Sequence, residues 1–439
     1  MRIRTILLTT TLATIAYAPH LSPQEAVSVT DSAGVRIVES SVPAWPAGAG
    51  WHVGTDPILT IGEVSGDLNY TFGFVSHALR LGDGSIVVAD RSASELRHFG
   101  PDGGFIRSLG GRGEGPGEFA MLSEVWTRGD TILASDGAQG RVSVFGREGD
   151  VLETIRVESA QGRGGYRSPY TQFTDGAMLV LNPPSGGVGL GGGDVIPGAV
   201  WRLDRYSRDG RFMNEIAYVQ ESPRWEHGIA GLPPGLYLPF SLGLPPFAAG
   251  GNHVYTAGGT EAGIQRWTSD GELSHVFRWP IRERSVSRDD RRRWREANST
   301  APQAYNPAAW ARYVREIPFP ERMPLTRRLL EDAEGNLWAE RFSPSWEEDS
   351  VWYVFNGEGV WLGEVAAPPG LHIFEIGANH VLGLRRDELG VPFVVMFPLD
   401  RGPDAPERPR RLRLHGPGEC AVCGGEVLAG SDAVPSYMR

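Results

Sequence analysis

Over most of its length the chain alternates apolar and polar residues with a period of two, in short runs punctuated by Gly, Asp and Asn. That alternation predicts strands of small antiparallel sheets rather than helices. A larger unit recurs above it: a Gly-containing turn, a strand, a strand closed by an aromatic residue, a turn with Asp or Glu beside Gly, and a further strand. The stretch RLGDGSIVVADRSASELRHFGPDGGFIRSL, from Arg80 to Leu109, shows the unit whole, and TRGDTILASDGAQGRVSVFGREGDVLETI, from Thr127 to Ile155, repeats it. Looser copies are FTDGAMLVLN with VWRLDRYSRDGRFMNEI, GGNHVYTAG with GIQRWTSDGELSHVF, AEGNLWAERF with SVWYVFNGEGVWLGEV, and GANHVLGLRRDELGVPFVVMF. The closing aromatic falls at Phe99, Phe145, Tyr206, Trp267, Phe355 and Phe397, so six units are expected.

Sheets this small are not stable alone. Radial stacking covers both faces of each and leaves only short edges, which predicts an all-β, six-bladed β-propeller over residues 57–400. The sixth copy passes after Phe397 into RGPDAPERPRRLR without a fourth strand. Upstream, PILTIGEVSGDLNYTFGFVSHALRLGDGSIVVAD aligns with the end of blade one and its link into blade two, so an N-terminal strand at 57–63 is expected to close the last blade. Between blades four and five, segment 281–326 reads as a small helical insert. Ser287 with Asp290 suits an N-cap ahead of RRRWREA, and Asn306 with Pro307 opens AWARYVREI, which Pro318 ends.

The strings IVVADRSASELRHFGPDG and ILASDGAQGRVSVFGREG resemble NHL repeats, and GRGEGPGEF with LLEDAEGNLW resembles the linkers of bacterial exported six-bladed propellers. The resemblance spans roughly residues 35–400. It implies the architecture and leaves the activity open, because related propellers include binders and enzymes.

Composition narrows the chemistry. All 42 basic residues are Arg, which excludes a Schiff-base lysine, a pyridoxal-phosphate enzyme and a P-loop lysine. The net charge of −11 argues against nucleic acid as a partner. Arg2 and Arg4 ahead of an apolar run from Ile6 to Ala18 have the layout of a secretory leader, so residues 1–26 are expected to be a signal peptide and the mature protein periplasmic or secreted. Residues 27–56 then form an N-terminal segment and 401–439 a tail. No later stretch is apolar enough to span a membrane, and a monomer is expected.

The turns expected on one face of the propeller are tight, whereas 158–170, 182–199, 219–247 and 281–326 are long and fall on the other, where sites usually form. Aligning VSHALRLGDG with LSEVWTRGD puts His77 and Glu124 at matching strand starts, and looser alignment adds Arg327 and His372. Such a set in a channel could bind an anionic or metal-linked ligand and move protons, or could simply be polar groups on channel water. Asp90 and Asp136 read as turn-holding residues, and Arg291, Arg292, Arg293 and Arg295 as a solvated helix face. The glycine-rich GGRGEGPGEF opens no helix, and Pro116 removes an N–H that a phosphate cradle would use. Cys420 and Cys423 are expected to form a disulfide in an oxidising compartment. Gly424 follows them where haem attachment would need His.

The function expected from these features is an exported propeller that binds a small molecule, glycan or protein on its loop-rich face without catalysis. The alternative is a lyase or lactonase-type enzyme, similar to gluconolactonase-like propellers, using a metal or a His/Glu pair in the channel. No cofactor is expected. A divalent metal in the channel stays open, although Glu124 is the one carboxylate placed at the matching strand starts.

Overall fold

The computed structural model describes residues 26–402 except 160–166, 185–193, 234, 259–261 and 348–349. Each repeat folds into its own antiparallel sheet, and the six sheets form a six-bladed β-propeller. Innermost strands are Val75–Arg80, Leu122–Arg128, Ser168–Gln172, Phe247–Gly250, Thr326–Glu331 and His372–Ile376. These touch one another in chain order, and the last touches the first, so they ring a central channel.

Packing explains the patterning. Second strands such as Ile86–Asp90 and Met178–Asn182 are buried at every position because neighbouring blades cover both faces. Outer strands such as Phe105–Gly110 keep the alternation of covered and open positions. Six apolar clusters fill the six joints between blades. Every joint takes one aromatic from the repeat: Phe99, Phe145, Tyr206, Trp267, Phe355 and Phe397. All but Trp267, which is partly covered, are fully buried, and each such ring stabilises the fold by roughly 2–3 kcal/mol. The tight turns fit against neighbouring blades just as closely. Gly210 has φ +87°, and a Cβ there would lie 2.1 Å from the Arg156 carbonyl oxygen, so both backbone and space call for glycine.

Ring closure follows the expected course. Leu59–Ile61 pairs antiparallel with Met396–Val394, and His52–Val53 continues along the same strand at Asp400 and Leu399. The N-terminal segment does more than lead into that strand. Val27–Ser32 and Val35–Ser40 form a hairpin whose second strand lies parallel to Leu273–Arg278, extending blade four to six strands. The chain then crosses blade five, where the amides of Ala44 and Trp45 donate to the carbonyls of Trp361 and Leu362. Residues 27–61 are thus a strap over blades four, five and six. No repeat signal marks the hairpin, because its partner is more than two hundred residues away in the chain.

The insert between blades four and five carries α1 (Arg288–Ala297) and α2 (Pro307–Glu316). Ser287 and Asp290 form a capping box, and the Asn306 side chain caps Ala308 and Ala309. Arg292 and Arg293 pair with Asp289, and Arg291 and Arg295 lie over the Phe319 ring, so the arginine run is engaged within the insert. Among the described residues no helix is long and apolar enough to cross a membrane. Residues 1–25 of the expected leader and 403–439 of the tail, with Cys420 and Cys423, lie outside the described residues.

Candidate functional site

Five of the six innermost strands slip register by one residue against the second strand near their start, and blade four does not. Such bulges re-aim side chains, here around the channel. Two aspartates fix where the first two of these strands begin. Asp90 accepts the amides of Gly73 and Phe74, just ahead of the strand bearing His77. Asp136 accepts those of Ala120 and Met121, just ahead of Glu124.

His77 and Glu124 occupy the same register, each one residue before a pairing of the same kind: Ala78 with Val88 and Val125 with Ala134. The structure brings them together, with His77 Nδ1 3.6 Å from Glu124 Oε2 and side chains 22% and 29% exposed. Enclosure by the surrounding blades disfavours charge on both. Burial lowers His77 to about 4, against a smaller upward pull from Glu375 and with a further push down from Arg328. Burial raises Glu124 to about 7, opposed by Arg328 and Arg91.

Arg327, the residue that sequence alignment puts at this position in blade five, is exposed, and Arg328 takes the matching place opposite Glu340. The cause is the bulge between Thr326 and Arg328, which an alignment by alternation misses by one residue. Arg328 donates to the Ile373 carbonyl, lies 3.3 Å from His372 Nδ1, and stands 5.8 Å from the centre of the Trp352 ring. No carboxylate of the described residues pairs with it within 4.0 Å. His372 is exposed at the start of blade six and stays beside Arg328. Burial by surrounding protein and the Arg328 charge lower it to about 3. Phe374 stands between the two histidines, its ring centre 5.4 Å from that of His77 and 5.1 Å from that of His372.

Sequence reasoning missed Arg328, Tyr170, Phe374 and Glu340. Tyr170 projects from the bulge of blade three and packs on Phe247, and burial together with Glu124 pushes its phenol up. Blade three is a loose copy, and SPYTQ, with its proline and little alternation, carries no signal that aligns it with the first strands of blades one and two. Glu340 is buried at 8% exposure, with a carboxyl raised by burial and drawn back by Arg328 and Arg327.

Below His77 and Glu124 the channel opens into a cavity of about 260 Å³, lined also by Tyr170, Ala248, Ala249, Leu329 and Glu331. As for a metal, no three His, Cys, Asp or Glu side chains among the described residues gather closely enough to hold one. Among the described residues the donor set thus falls short of the several oxygen ligands that a calcium site needs at once.

Residues 74–161, from the first strand of blade one past the end of blade two, match a family described as a 6-bladed beta-propeller. No curated protein matches the chain. Among solved structures, a Bacteroides fragilis protein described as exported is 13% identical, covering 83% of this chain and 99% of its own, with a TM-score of 0.42. A gluconolactonase from Xanthomonas campestris is 13% identical over 82% of this chain and 99% of its own, with a TM-score of 0.40. Virginiamycin B lyase from Staphylococcus aureus is 10% identical over 80% and 99%, with a TM-score of 0.37. At these identities the likeness concerns the fold alone.

Proposed function

We propose that this chain is an exported propeller that binds a small anionic molecule in its channel, at Arg328, whose charge is felt by His77 and Glu124. The observation that carries this reading is Arg328. The close contacts of its guanidinium are a carbonyl and a neutral imidazole, while Glu340, its cross-strand partner, and Glu124 act on it from beyond ion-pair distance. A guanidinium with no carboxylate engaged within 4.0 Å leaves donors for an anion from solution, and a charge-assisted hydrogen bond of this kind contributes about 1.5–3 kcal/mol. Export is supported by the leader-like start, Arg2 and Arg4 followed by the apolar run to Ala18.

Protonation modulates the site in one direction. Glu124 at about 7 carries a negative charge above neutral pH that repels an anion, and loses it below. Affinity should therefore rise as pH falls from 8 to 6. The check is thermal shift and titration calorimetry with acetate, hexanoate, gluconate and inorganic phosphate, on wild type and on Arg328→Met. The expected outcome is an anion that stabilises the wild type, binds tighter at pH 6 than at pH 8, and loses about tenfold or more in the variant. If none of the four binds, or if binding survives Arg328→Met, the reading fails.

A second reading, acid–base catalysis, is favoured by the His77–Glu124 contact, since a carboxyl at about 7 beside an uncharged imidazole is poised for proton transfer near neutral pH. It adds chemistry beside that anion site, and turnover of a bound acid that vanishes in His77→Ala would establish it.

A further inference from the structure

Strands Thr326–Glu331, Leu337–Arg341 and Ser350–Phe355 of blade five bring Arg328, Glu340 and Ser350 to the same end of their sheet, with Arg328 opposite Glu340 across the ladder. Together with Arg327, Ser343 and His372 they wall a cavity of about 330 Å³. The segment that carries Ser343 away from Glu340 is tied down further along. Glu347 pairs with Arg284 at 2.6 Å, Arg284 pairs at 2.8 Å with Asp290 of the α1 capping box, and Trp346 meets the Phe240 ring edge-on. These contacts hold the shape of the wall from outside the cavity.

Three oxygens in that wall have no hydrogen-bond partner: Glu340 Oε2, Ser343 Oγ and Ser350 Oγ. Glu340 is 8% exposed and forms no ion pair within 4.0 Å among the described residues. Enclosed polar atoms without partners are costly, and a ligand that supplies the partners recovers that cost on binding. Rotation about a single bond turns either serine hydroxyl towards such a ligand. Charge narrows the ligand further. Arg327 and Arg328 face one carboxylate that is not engaged elsewhere, Glu340, because Glu347 is held by Arg284. The described wall is therefore net positive and disfavours an ammonium group. An acid with a bare hydrocarbon body satisfies Arg328 and leaves the three oxygens unmatched. An acid that carries hydroxyl groups satisfies both, since a hydroxyl donates to a carboxylate and exchanges hydrogen bonds with a serine.

We infer that the Arg328 cavity selects hydroxylated carboxylic acids, the carboxylate held by Arg328 and the hydroxyl groups by Glu340, Ser343 and Ser350. The inference rests on the anion-binding reading above and names the class of ligand. A cavity of about 330 Å³ lies at the small end of ligand sites and suits a single ring of sugar-acid size.

Titration calorimetry at pH 6 tests this with two matched sets of probes: propanoate, lactate and alanine, which differ in one substituent, and cyclohexanecarboxylate against glucuronate. The proteins are wild type, Glu340→Met, the paired change Ser343→Ala with Ser350→Ala, and Arg328→Met, each checked for folding by thermal unfolding. Lactate should bind about fivefold tighter than propanoate, and glucuronate roughly tenfold or more tighter than cyclohexanecarboxylate, with alanine weaker than lactate. Both preferences should shrink towards one in Glu340→Met and in the paired serine change, and either protein decides the matter if the other does not fold. Acids that need Arg328 yet show no preference for the hydroxylated member would overturn the inference and leave the anion site standing. Alanine as the tightest of its set, or a preference untouched in every variant that folds, would do the same. No binding by any acid to the wild type, or binding that persists in Arg328→Met, would remove the anion site and this inference with it.

Discussion

At neutral pH His77, lowered to about 4, is uncharged, and Glu124, raised to about 7, is near half-protonated, so the 3.6 Å contact is largely between neutral groups. The sign of the consequence for stability follows from linkage. Between the ordinary carboxyl value of 4.5 and the folded value of about 7, the folded protein holds a proton that the unfolded chain has released. Stability from this group is therefore complete below pH 4.5 and declines as pH rises to 7, leaving a buried charge above it. Glu124→Gln keeps the shape and removes that cost. It should stabilise the protein by about 1–3 kcal/mol at pH 8 and by little at pH 5, read as the difference in melting temperature at the two pH values. The register of these two residues was legible because VSHALRLGDG and LSEVWTRGD are close copies. Arg328 was not, because a one-residue bulge leaves no mark in an alternating pattern and two arginines stand side by side. Tyr170 was hidden for a different reason. Its strand, SPYTQ, contains a proline and little alternation, so nothing in it announced an innermost strand.

Between elements, the joints carry the stability, and one of them contains a buried charge. Arg401, its side chain 4% exposed, reaches back from the end of blade six to Asp332 at 2.9 Å and Glu334 at 3.3 Å, and lies 4.1 Å over the Trp51 ring. It donates as well to the carbonyls of Ala378 and Gly377, so the strap, blade five and blade six meet on one guanidinium. Arg401→Met would leave the Asp332 carboxylate buried with only neutral donors from Glu334, Asn336 and Trp338. The expected cost is about 3 kcal/mol, measured by chemical denaturation, with no change in ligand binding in the channel. Such a joint is invisible in sequence, since RGPDAPERPRRLR reads as the start of a polar tail. The helices, by contrast, were legible to the residue at their caps, because Ser287, Asp290, Asn306 and Pro307 satisfy local amide groups whatever the rest of the fold does.

Across the whole molecule the strap ties three consecutive blades by main-chain hydrogen bonds, and its two halves should fail differently. Removing residues 26–40 strips the hairpin from blade four and leaves the ring closed, so unfolding should remain cooperative at a lower temperature. Removing residues 26–61 takes the outer strand from blade six as well and exposes edges on two sheets. That variant should aggregate or lose cooperative unfolding, followed by size-exclusion chromatography and calorimetry. A monomer with an unchanged melting temperature would contradict the closure described above. The six-fold repeat was legible because every unit must bury the same aromatic in the same joint. The strap's route was not, since pairing across such a separation obeys no local periodicity.

That route also imposes an order in time. Val35–Ser40 is made long before its partner at residues 273–278, and Leu59–Ile61 before its partner at 394–396. As the chain emerges from the ribosome or threads through a membrane pore, its earliest strands stay single until the latest ones arrive. A nascent propeller is an open crescent with adhesive rims throughout that interval. A chain cut short anywhere before Val394 would be left as that crescent permanently, so premature termination even in the last fifth of the chain, up to that residue, should yield an aggregating product rather than a smaller working one.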